Sequence, residues 1–250
     1  MGTYWSIDLS DPGVSFPREY LSQKIIGLVD LYDKTFSDWR EDSELKALEK
    51  NLTQFQKPTD LFIKGLEYSK LGYDKSNGEF DITVGAILWN EKKEKVGFDK
   101  LELNGNKFRF KEDPKRLTFG GIAKGMAVGA LSTWLYKNNI KNFRVNAGDG
   151  NLSFIGKNFK EAWIEEKQTG PTNPQEIIFL SRSNIKQNGR VHIIGIKRGA
   201  DSVKISCRSK AKDLLDWEKI GALSDAYSTA LVLESNLDWS KFGCRNLTKD

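Results

Sequence analysis

The stretch Gly120-Gly121-Ile122-Ala123-Lys124-Gly125-Met126-Ala127 opens a predicted helix over residues 120–138, which carries a further glycine at Gly129. Each glycine inside a helix costs about 1 kcal/mol relative to alanine, so this glycine content indicates that something approaches the backbone closely. A helix N-terminus presents free N–H groups and a positive dipole end, which suit a phosphate, and Lys124 adds a cation one turn in. The alternative is tight packing of the helix on a sheet. The spacing matches neither the Walker loop nor the dinucleotide fingerprint.

Outward from this stretch, apolar periodicity predicts helices on the N-terminal side. One covers residues 18–36 and begins near Ser15 or Pro17, a short one opens at Asp42-Ser43-Glu44-Leu45, and a third follows Pro58-Thr59-Asp60. The turn at Asn77-Gly78 leads into a segment over 80–84, in which Asp81 is expected to cap the start of a strand.

Alternating residues predict strands elsewhere. A hairpin is expected around Asn104-Gly105-Asn106, and a last helix over 223–234. The remaining predicted strands lie at the start of the chain and at 142–147, 152–155, 177–181, 190–196 and 202–208. Because helices and strands interleave irregularly and hairpins occur, we expect an α+β fold with mixed sheets and flanking helices, forming a single domain over residues 1–250.

The composition excludes several classes of site. The 250 residues include 1 histidine, His192, and 2 cysteines, Cys207 and Cys244. A multi-histidine zinc site and a disulfide-dense scaffold are therefore excluded, and a Ser-His-Asp triad would need His192. We expect the cysteines to be free or half-buried thiols, with a bridge between them as the alternative. No apolar run is long enough to span a bilayer. The lysines are scattered among acids, so no nucleic-acid partner is expected.

A second polar stretch is Ser224-Asp225-Ala226-Tyr227-Ser228-Thr229. Asp225 and Thr229 are four residues apart, so they share one face of the predicted helix. A carboxylate and a hydroxyl that project together are hard oxygen ligands and suit Mg²⁺ bridging a diphosphate. The alternative is an N-cap followed by a threonine that bonds to its own helix backbone.

Other candidate residues have equally simple structural interpretations. His192 lies in a predicted strand, where a lone histidine is more often structural than catalytic. Asp81 can be an ordinary cap. Trp39 and Trp89 can belong to the core, or they can stack on a flat ring because they lie close to polar segments.

Taken in order, these segments resemble the ApbE family of FAD:protein FMN transferases. The resemblance runs from residue 1 to about 234, and Gly-Gly-Ile-Ala-Lys-Gly at 120–125 matches the family pattern throughout. The other matching segments are Met1-Gly2-Thr3, Phe36-Ser37-Asp38-Trp39-Arg40 with Ser43-Glu44, Phe80 to Gly85 with Leu88-Trp89, Val145 to Gly148, His192 to Ile194, and Asp225 to Leu231.

The resemblance implies an FAD cleft, a Mg²⁺ site and transfer of FMN from FAD to a threonine or serine hydroxyl of an acceptor protein, with release of AMP. It implies catalytic roles for Asp225 and for His192, which would orient or deprotonate the hydroxyl. The implied metal ligands are Asp225, Thr229 and the carbonyl of Gly121, with Ser228 nearby. The residues implied at the FAD site are Met1, Trp39, Glu79, Phe80, Asp81, Thr118, Lys124 and Ile194.

The chain departs from the family pattern near the nucleotide. Thr118 stands where the family commonly has an aspartate, and Met126, Gly129 and Gly195 also differ from the usual residues. Two alternatives follow: an FAD-binding protein with little or no transferase activity, and an FAD pyrophosphatase that yields FMN and AMP. The resemblance also implies a membrane redox complex subunit as acceptor and a location in the cell envelope on the periplasmic side, with an export or anchoring segment upstream of Met1. A cytoplasmic location is the alternative.

Overall fold

A computed structural model describes residues 3–9, 16–89, 91–148, 151–155, 176–184, 202–210, 216–233 and 244–246. The helices are α1 (Arg18–Phe36), α2 (Glu44–Leu48), α3 (Asp60–Lys75), α4 (Gly85–Leu88), α5 (Ala123–Lys137) and α6 (Trp217–Leu233). The strands are β1 (Trp5–Leu9), β2 (Leu101–Asn104), β3 (Lys107–Phe110), β4 (Phe143–Ala147), β5 (Asn151–Ile155), β6 (Glu176–Asn184), β7 (Ser202–Lys210) and β8 (Cys244–Asn246).

Within the described residues the main sheet has 6 strands in the order β1-β4-β5-β6-β7-β8, and β2 and β3 form a separate hairpin. The α+β class is therefore confirmed. The expectation of mixed sheets is corrected, because every pairing between described strands is antiparallel. In the strand β4, Phe143 and Val145 point inward and are fully buried, as period-2 alternation requires for a sheet covered on one face.

The helices α5 and α6 pack against each other and cover this sheet, while α1 contacts α5 and α3 contacts α6. The helix α5 is thus enclosed on several sides, which explains why it is apolar around much of its circumference. Among the helices that the structure describes, none is long and apolar enough to cross a membrane.

Most predicted elements are found, with three differences. The helix predicted from residue 120 begins at Ala123, so Gly120 and Gly121 form the turn before it. The last helix begins earlier than predicted, at Trp217. Asp81 does cap a segment, but this segment is a 3₁₀ helix over Ile82–Val84 and not a strand, because the Asp81 carboxylate accepts the N–H of Thr83 and folds the chain back. The strand predicted at 190–196 lies outside the described residues.

Glycines set the close approach of α5 and α6. A methyl group at Gly125 would overlap the backbone carbonyl of Gly221, and one at Gly129 would overlap the backbone of Trp217. The side-chain Cβ of Asp225 would lie only 2.9 Å from a methyl group at Gly125. Tight packing therefore explains Gly125 and Gly129, but their partner is α6 and not the sheet that the alternative named.

We predict that Gly125→Ala lowers the free energy of unfolding by about 1–3 kcal/mol, because rigid backbone on α6 cannot move aside. Gly27→Ala is the matched control, since Gly27 is also helical but a methyl group placed on it would have nothing within 4 Å. That control should be stabilising by about 0.4–1 kcal/mol. Guanidinium unfolding of both variants provides the measurement, and equal effects would contradict the packing argument.

A disulfide joins Cys207 on β7 to Cys244 on β8, directly opposite each other in the sheet. The expectation of free thiols is thus wrong, and the bridge that the sequence left as an alternative is present. Cys207 lies within a strand and Cys244 in a separate one, so only the strand pairing brings the two residues together. The closed loop spans a sequence separation of 37 and contains all of α6.

We predict that Cys207→Ala with Cys244→Ala lowers the free energy of unfolding, by about 4 kcal/mol on the chain-entropy estimate for a loop of 37 residues. Either single variant should lose as much, since one replacement already breaks the bond. Denaturant unfolding of the oxidised protein and of the variants checks this. Detection of two free thiols in the native protein by mass spectrometry would refute it.

Candidate functional site

A cavity of about 410 Å³ lies between the loop that follows α1 and the turn that precedes α5. Trp39 and Lys124, both predicted as ligand-binding residues, line it. The complete described lining is Thr3, Tyr32, Asp33, Phe36, Ser37, Asp38, Trp39, Arg40, Phe119, Gly120, Ala123 and Lys124.

Trp39 lines the cavity and forms a tilted aromatic pair with Trp89. Its side chain is 71% exposed, and its ring centroid lies 4.7 Å from that of Trp89. The guanidinium of Arg116 lies 4.6 Å from the Trp89 ring, which adds a cation–π contact. Trp89 and Arg116 therefore support one side of Trp39 while the rest of the ring is available to a flat ligand.

The loop that carries Trp39 is fixed by local hydrogen bonds. The Ser37 hydroxyl accepts the backbone N–H groups of Trp39 and Arg40, both at 3.3 Å. The Ser43 hydroxyl donates to the Ser37 carbonyl at 2.7 Å. Arg40 in turn binds three acids, Asp30, Asp33 and Asp42, and its guanidinium holds the pKa of the Asp42 carboxyl below its usual value.

Another part of the cavity wall is the glycine turn together with the start of α5, which contribute Gly120 and Lys124. The N–H groups of Ile122 and Ala123 both donate to the Phe119 carbonyl, at 3.0 and 2.9 Å. These amides are therefore engaged within the protein, and the cation of this wall is Lys124, which forms no ion pair with any described residue. If a phosphate binds here, the Lys124 ammonium is therefore better placed to contact it than these two N–H groups.

Behind this turn, α6 brings together all of the predicted metal ligands. Asp225 is buried, and its Oδ2 accepts the N–H of Gly125 at 3.3 Å. A methyl group on Gly121 would lie 2.9 Å from Thr229 Oγ1, so the Gly121 backbone is adjacent to that hydroxyl. We call Gly121, Asp225, Ser228 and Thr229 the oxygen cluster.

The two hydroxyls of the oxygen cluster also satisfy the structural alternative. Ser228 Oγ donates to the Asp225 carbonyl at 2.9 Å, and Thr229 Oγ1 donates to the same carbonyl at 3.1 Å. This is the backbone bonding that serine and threonine adopt within helices. Each hydroxyl oxygen retains lone pairs, so the bond does not prevent it from serving as a ligand.

The oxygen cluster fits Mg²⁺ by its chemistry. Mg²⁺ prefers hard oxygen donors and is held through one or two carboxylates, with water and phosphate oxygens completing its shell. Asp225 supplies one buried carboxylate, Thr229 a hydroxyl and Gly121 a neighbouring backbone carbonyl. In the part of the chain that is described, no three His, Cys, Asp or Glu side chains form a complete cage. The described side chains could therefore supply only part of a Mg²⁺ shell, and water or phosphate oxygens would have to complete it.

Three further predicted residues, Glu79, Phe80 and Asp81, do not line the cavity. Asp81 is buried, and its Oδ1 accepts both the N–H and the hydroxyl of Thr83, at 2.8 and 2.7 Å. Its Oδ2 accepts the N–H of Phe98 at 3.3 Å and lies 3.7 Å from Lys95 Nζ. These contacts give Asp81 a structural task, which is to tie together two loops of the fold.

Phe80 and Glu79 continue this segment toward the oxygen cluster. The buried Phe80 ring would lie 3.1 Å from a methyl group on Gly121, so it packs against the backbone of the glycine turn. Glu79 is half-buried, and its N–H donates to the Ser76 carbonyl at 3.1 Å.

We predict that Asp81→Ala lowers the free energy of unfolding by about 2–3 kcal/mol, because it leaves the buried N–H groups of Thr83 and Phe98 without an acceptor. Asp74→Ala should change it by no more than about 0.5 kcal/mol, since Asp74 forms an exposed pair with Lys70. Thermal and chemical unfolding measure both. An Asp81 variant as stable as the wild type would show that its role is not structural.

Sequence reasoning missed Asp38, although it lies within the quoted motif beside Trp39. Its carboxylate lines the cavity, and its Oδ2 accepts a hydrogen bond from the Thr118 hydroxyl at 3.1 Å. Thr118, predicted to contact the nucleotide, therefore turns toward Asp38 and also accepts the N–H of Gly120 at 3.3 Å. The signal for Asp38 was weak because the contact joins residues 80 positions apart. Met1, His192 and Ile194 lie outside the described residues.

This fold is shared with solved structures of flavin transferases. The flavin transferase ApbE from Vibrio cholerae superposes with a TM-score of 0.71 at 18% identity, covering 93% of this chain and 84% of that one. The flavinyl transferase ApbE from Pseudomonas stutzeri gives 0.70 at 17% identity, with 93% and 83% covered. The ApbE protein from Thermotoga maritima gives 0.70 at 18% identity, with 98% and 90% covered.

The sequence itself matches the ApbE family over residues 1–185. The chain therefore belongs to the ApbE family. A search among curated proteins found no match.

Proposed function

We propose that this chain is a Mg²⁺-dependent transferase that moves FMN from FAD to a threonine or serine hydroxyl of an acceptor protein and releases AMP. One observation carries the proposal. The segment 120–125 joins the two halves of the site, because Gly120 and Lys124 line the cavity, Gly121 belongs to the oxygen cluster and Gly125 donates its N–H to Asp225. A ligand with a flat ring and a diphosphate would reach both. Family membership and the flavin transferase structures support the same activity.

The residues of the chain would divide the work of binding. Trp39 would stack on a ring of the dinucleotide, and Lys124 would bind the diphosphate through charge. Asp225, Thr229 and the Gly121 carbonyl would hold Mg²⁺ behind the turn. When bound, Mg²⁺ would neutralise the diphosphate and stabilise the leaving AMP. Phosphoryl-type transfer needs mainly this positioning and charge stabilisation from a protein.

The transfer step exchanges one bond to phosphorus for another. The acceptor hydroxyl oxygen attacks the phosphorus of the FMN portion of FAD, and the bond from that phosphorus to the bridging oxygen breaks. AMP leaves with the bridging oxygen, and the acceptor gains FMN through a phosphoester. The hydroxyl proton must be removed in this step, and His192 is the candidate to orient the hydroxyl or to take the proton.

We further propose that the protein acts in the cell envelope, on a subunit of a membrane redox complex. The disulfide between Cys207 and Cys244 supports this compartment, because such bonds persist in oxidising environments and are rare in the cytosol. The nature of the acceptor rests on the family resemblance alone.

We predict that the oxidised protein, incubated with FAD, Mg²⁺ and a candidate acceptor, adds the mass of one FMN to the acceptor and releases AMP. Asp225→Ala should reduce the transfer rate by about 100-fold or more, because the only carboxylate of the oxygen cluster is removed. Asp74→Asn is the control and should transfer at the wild-type rate. Intact-mass spectrometry and nucleotide chromatography measure both products.

Other outcomes would identify the alternatives. Release of FMN and AMP without any acceptor would indicate an FAD pyrophosphatase. The third outcome is tight binding of FAD without any change to the FAD after long incubation with Mg²⁺ and an acceptor. If an active homologue does modify the same acceptor, this outcome would indicate a binding protein. Full activity of Asp225→Ala would refute the metal assignment.

A further inference from the structure

We propose that Asp38 is the residue that recognises the ring stacked on Trp39, by accepting a hydrogen bond from an N–H group of that ring. The proposal rests on the proposed function, since it assumes a flavin dinucleotide in the cavity. Both rings of such a ligand carry N–H donors: the amino group of adenine and the imide N–H of the flavin. Asp38 is half-buried, lines the cavity and directly precedes Trp39 in the chain.

The hydrogen-bonding capacity of Asp38 is only partly used. Thr118 Oγ1 donates to Oδ2 at 3.1 Å, and no described residue donates to Oδ1. An ionised carboxylate has two oxygens and accepts several hydrogen bonds, so Oδ1 is available to a ligand. The bond from Thr118, the residue before the cavity-lining Phe119, orients the carboxylate.

The cavity lining has an acid, Asp38, beside the aromatic ring and a cation, Lys124, at the glycine turn. Asp33 is paired with Arg40, which also binds Asp30 and Asp42, so Arg40 partly compensates the charge of Asp33. Within the described lining, the charged groups without an ion pair are Asp38 and Lys124. An anionic acceptor beside the aromatic ring and a cation at the glycine turn complement a molecule with N–H donors at a ring and negative charge at a diphosphate.

The position of Asp38 is also fixed before any ligand arrives. The Ser37 hydroxyl accepts the backbone N–H groups of Trp39 and Arg40, and the Ser43 hydroxyl donates to the Ser37 carbonyl. A carboxylate on such a rigid loop loses little conformational freedom when it binds. Stacking on Trp39 is tolerant of ring identity, whereas a hydrogen bond at the ring edge discriminates between rings. Asp38 is therefore the residue that sets specificity.

The test is binding of FAD, FMN and ADP in the presence of Mg²⁺, measured by titration calorimetry on the intact protein. Asp38→Asn keeps the shape and removes the charge, and it should weaken FAD binding by about 10-fold or more. Either FMN or ADP should lose affinity by a similar factor. A loss for FMN identifies the flavin as the ring that Asp38 binds, and a loss for ADP identifies the adenine. Asp74→Asn is the matched control and should bind all three ligands within about twofold of the wild type. Thermal unfolding checks that each variant is folded.

An exchange variant separates the carboxylate from the loop. Asp38→Thr with Thr118→Asp exchanges the two hydrogen-bonded groups and keeps one acid at this contact, so it should recover most of the lost FAD affinity. Failure to recover would attribute the loss to the loop and would overturn the proposal. Equal FAD affinity of Asp38→Asn and wild type would also overturn it, while FMN transfer by the wild type would leave the proposed function standing. A wild-type protein that does not bind FAD would overturn both.

Discussion

The close approach of α5 and α6 is the contact on which the rest of the site depends. Backbone lies against backbone where Gly125 meets Gly221 and where Gly129 meets the start of α6. Only because these positions lack side chains does the Asp225 carboxylate reach the Gly125 N–H, and Thr229 reach the Gly121 backbone. The stability of the helix pair and the geometry of the oxygen cluster consequently depend on the same glycine contacts.

The fold places the two halves of the site on elements of different character. Asp225, Ser228 and Thr229 of the oxygen cluster stand on α6, which packs on the sheet, and Gly121 lies in the turn before α5. The cavity is built on a surface loop and a turn, which are fixed by side-chain hydrogen bonds from Ser37, Ser43 and Thr118. A binding surface made of loops on a rigid support is a common arrangement, because loops vary without disturbing the core.

Local patterns predicted the elements well. The bounds of α1, Arg18–Phe36, coincide with the predicted range because its apolar positions repeat without interruption. The hairpin around Gly105 followed from its turn residues, which favour a positive φ. The segment after Asp81 was mistaken for a strand because a capping aspartate followed by apolar residues fits the start of a strand as well as the Asp81–Thr83 cap of a 3₁₀ helix. The contact between Asp38 and Thr118 was not predicted, and the bridge between Cys207 and Cys244 was only an alternative, because both join distant parts of the chain.

The disulfide gives α6 an unusual topological status. The helix lies inside a covalent ring that begins at Cys207 and closes at Cys244, so its ends are joined to the sheet by two independent routes. A single proteolytic cut in the connections on either side of α6 would therefore leave the fragments linked as one molecule. The helix that carries Asp225 would stay attached to the strands beneath it even after its peptide connection had been severed.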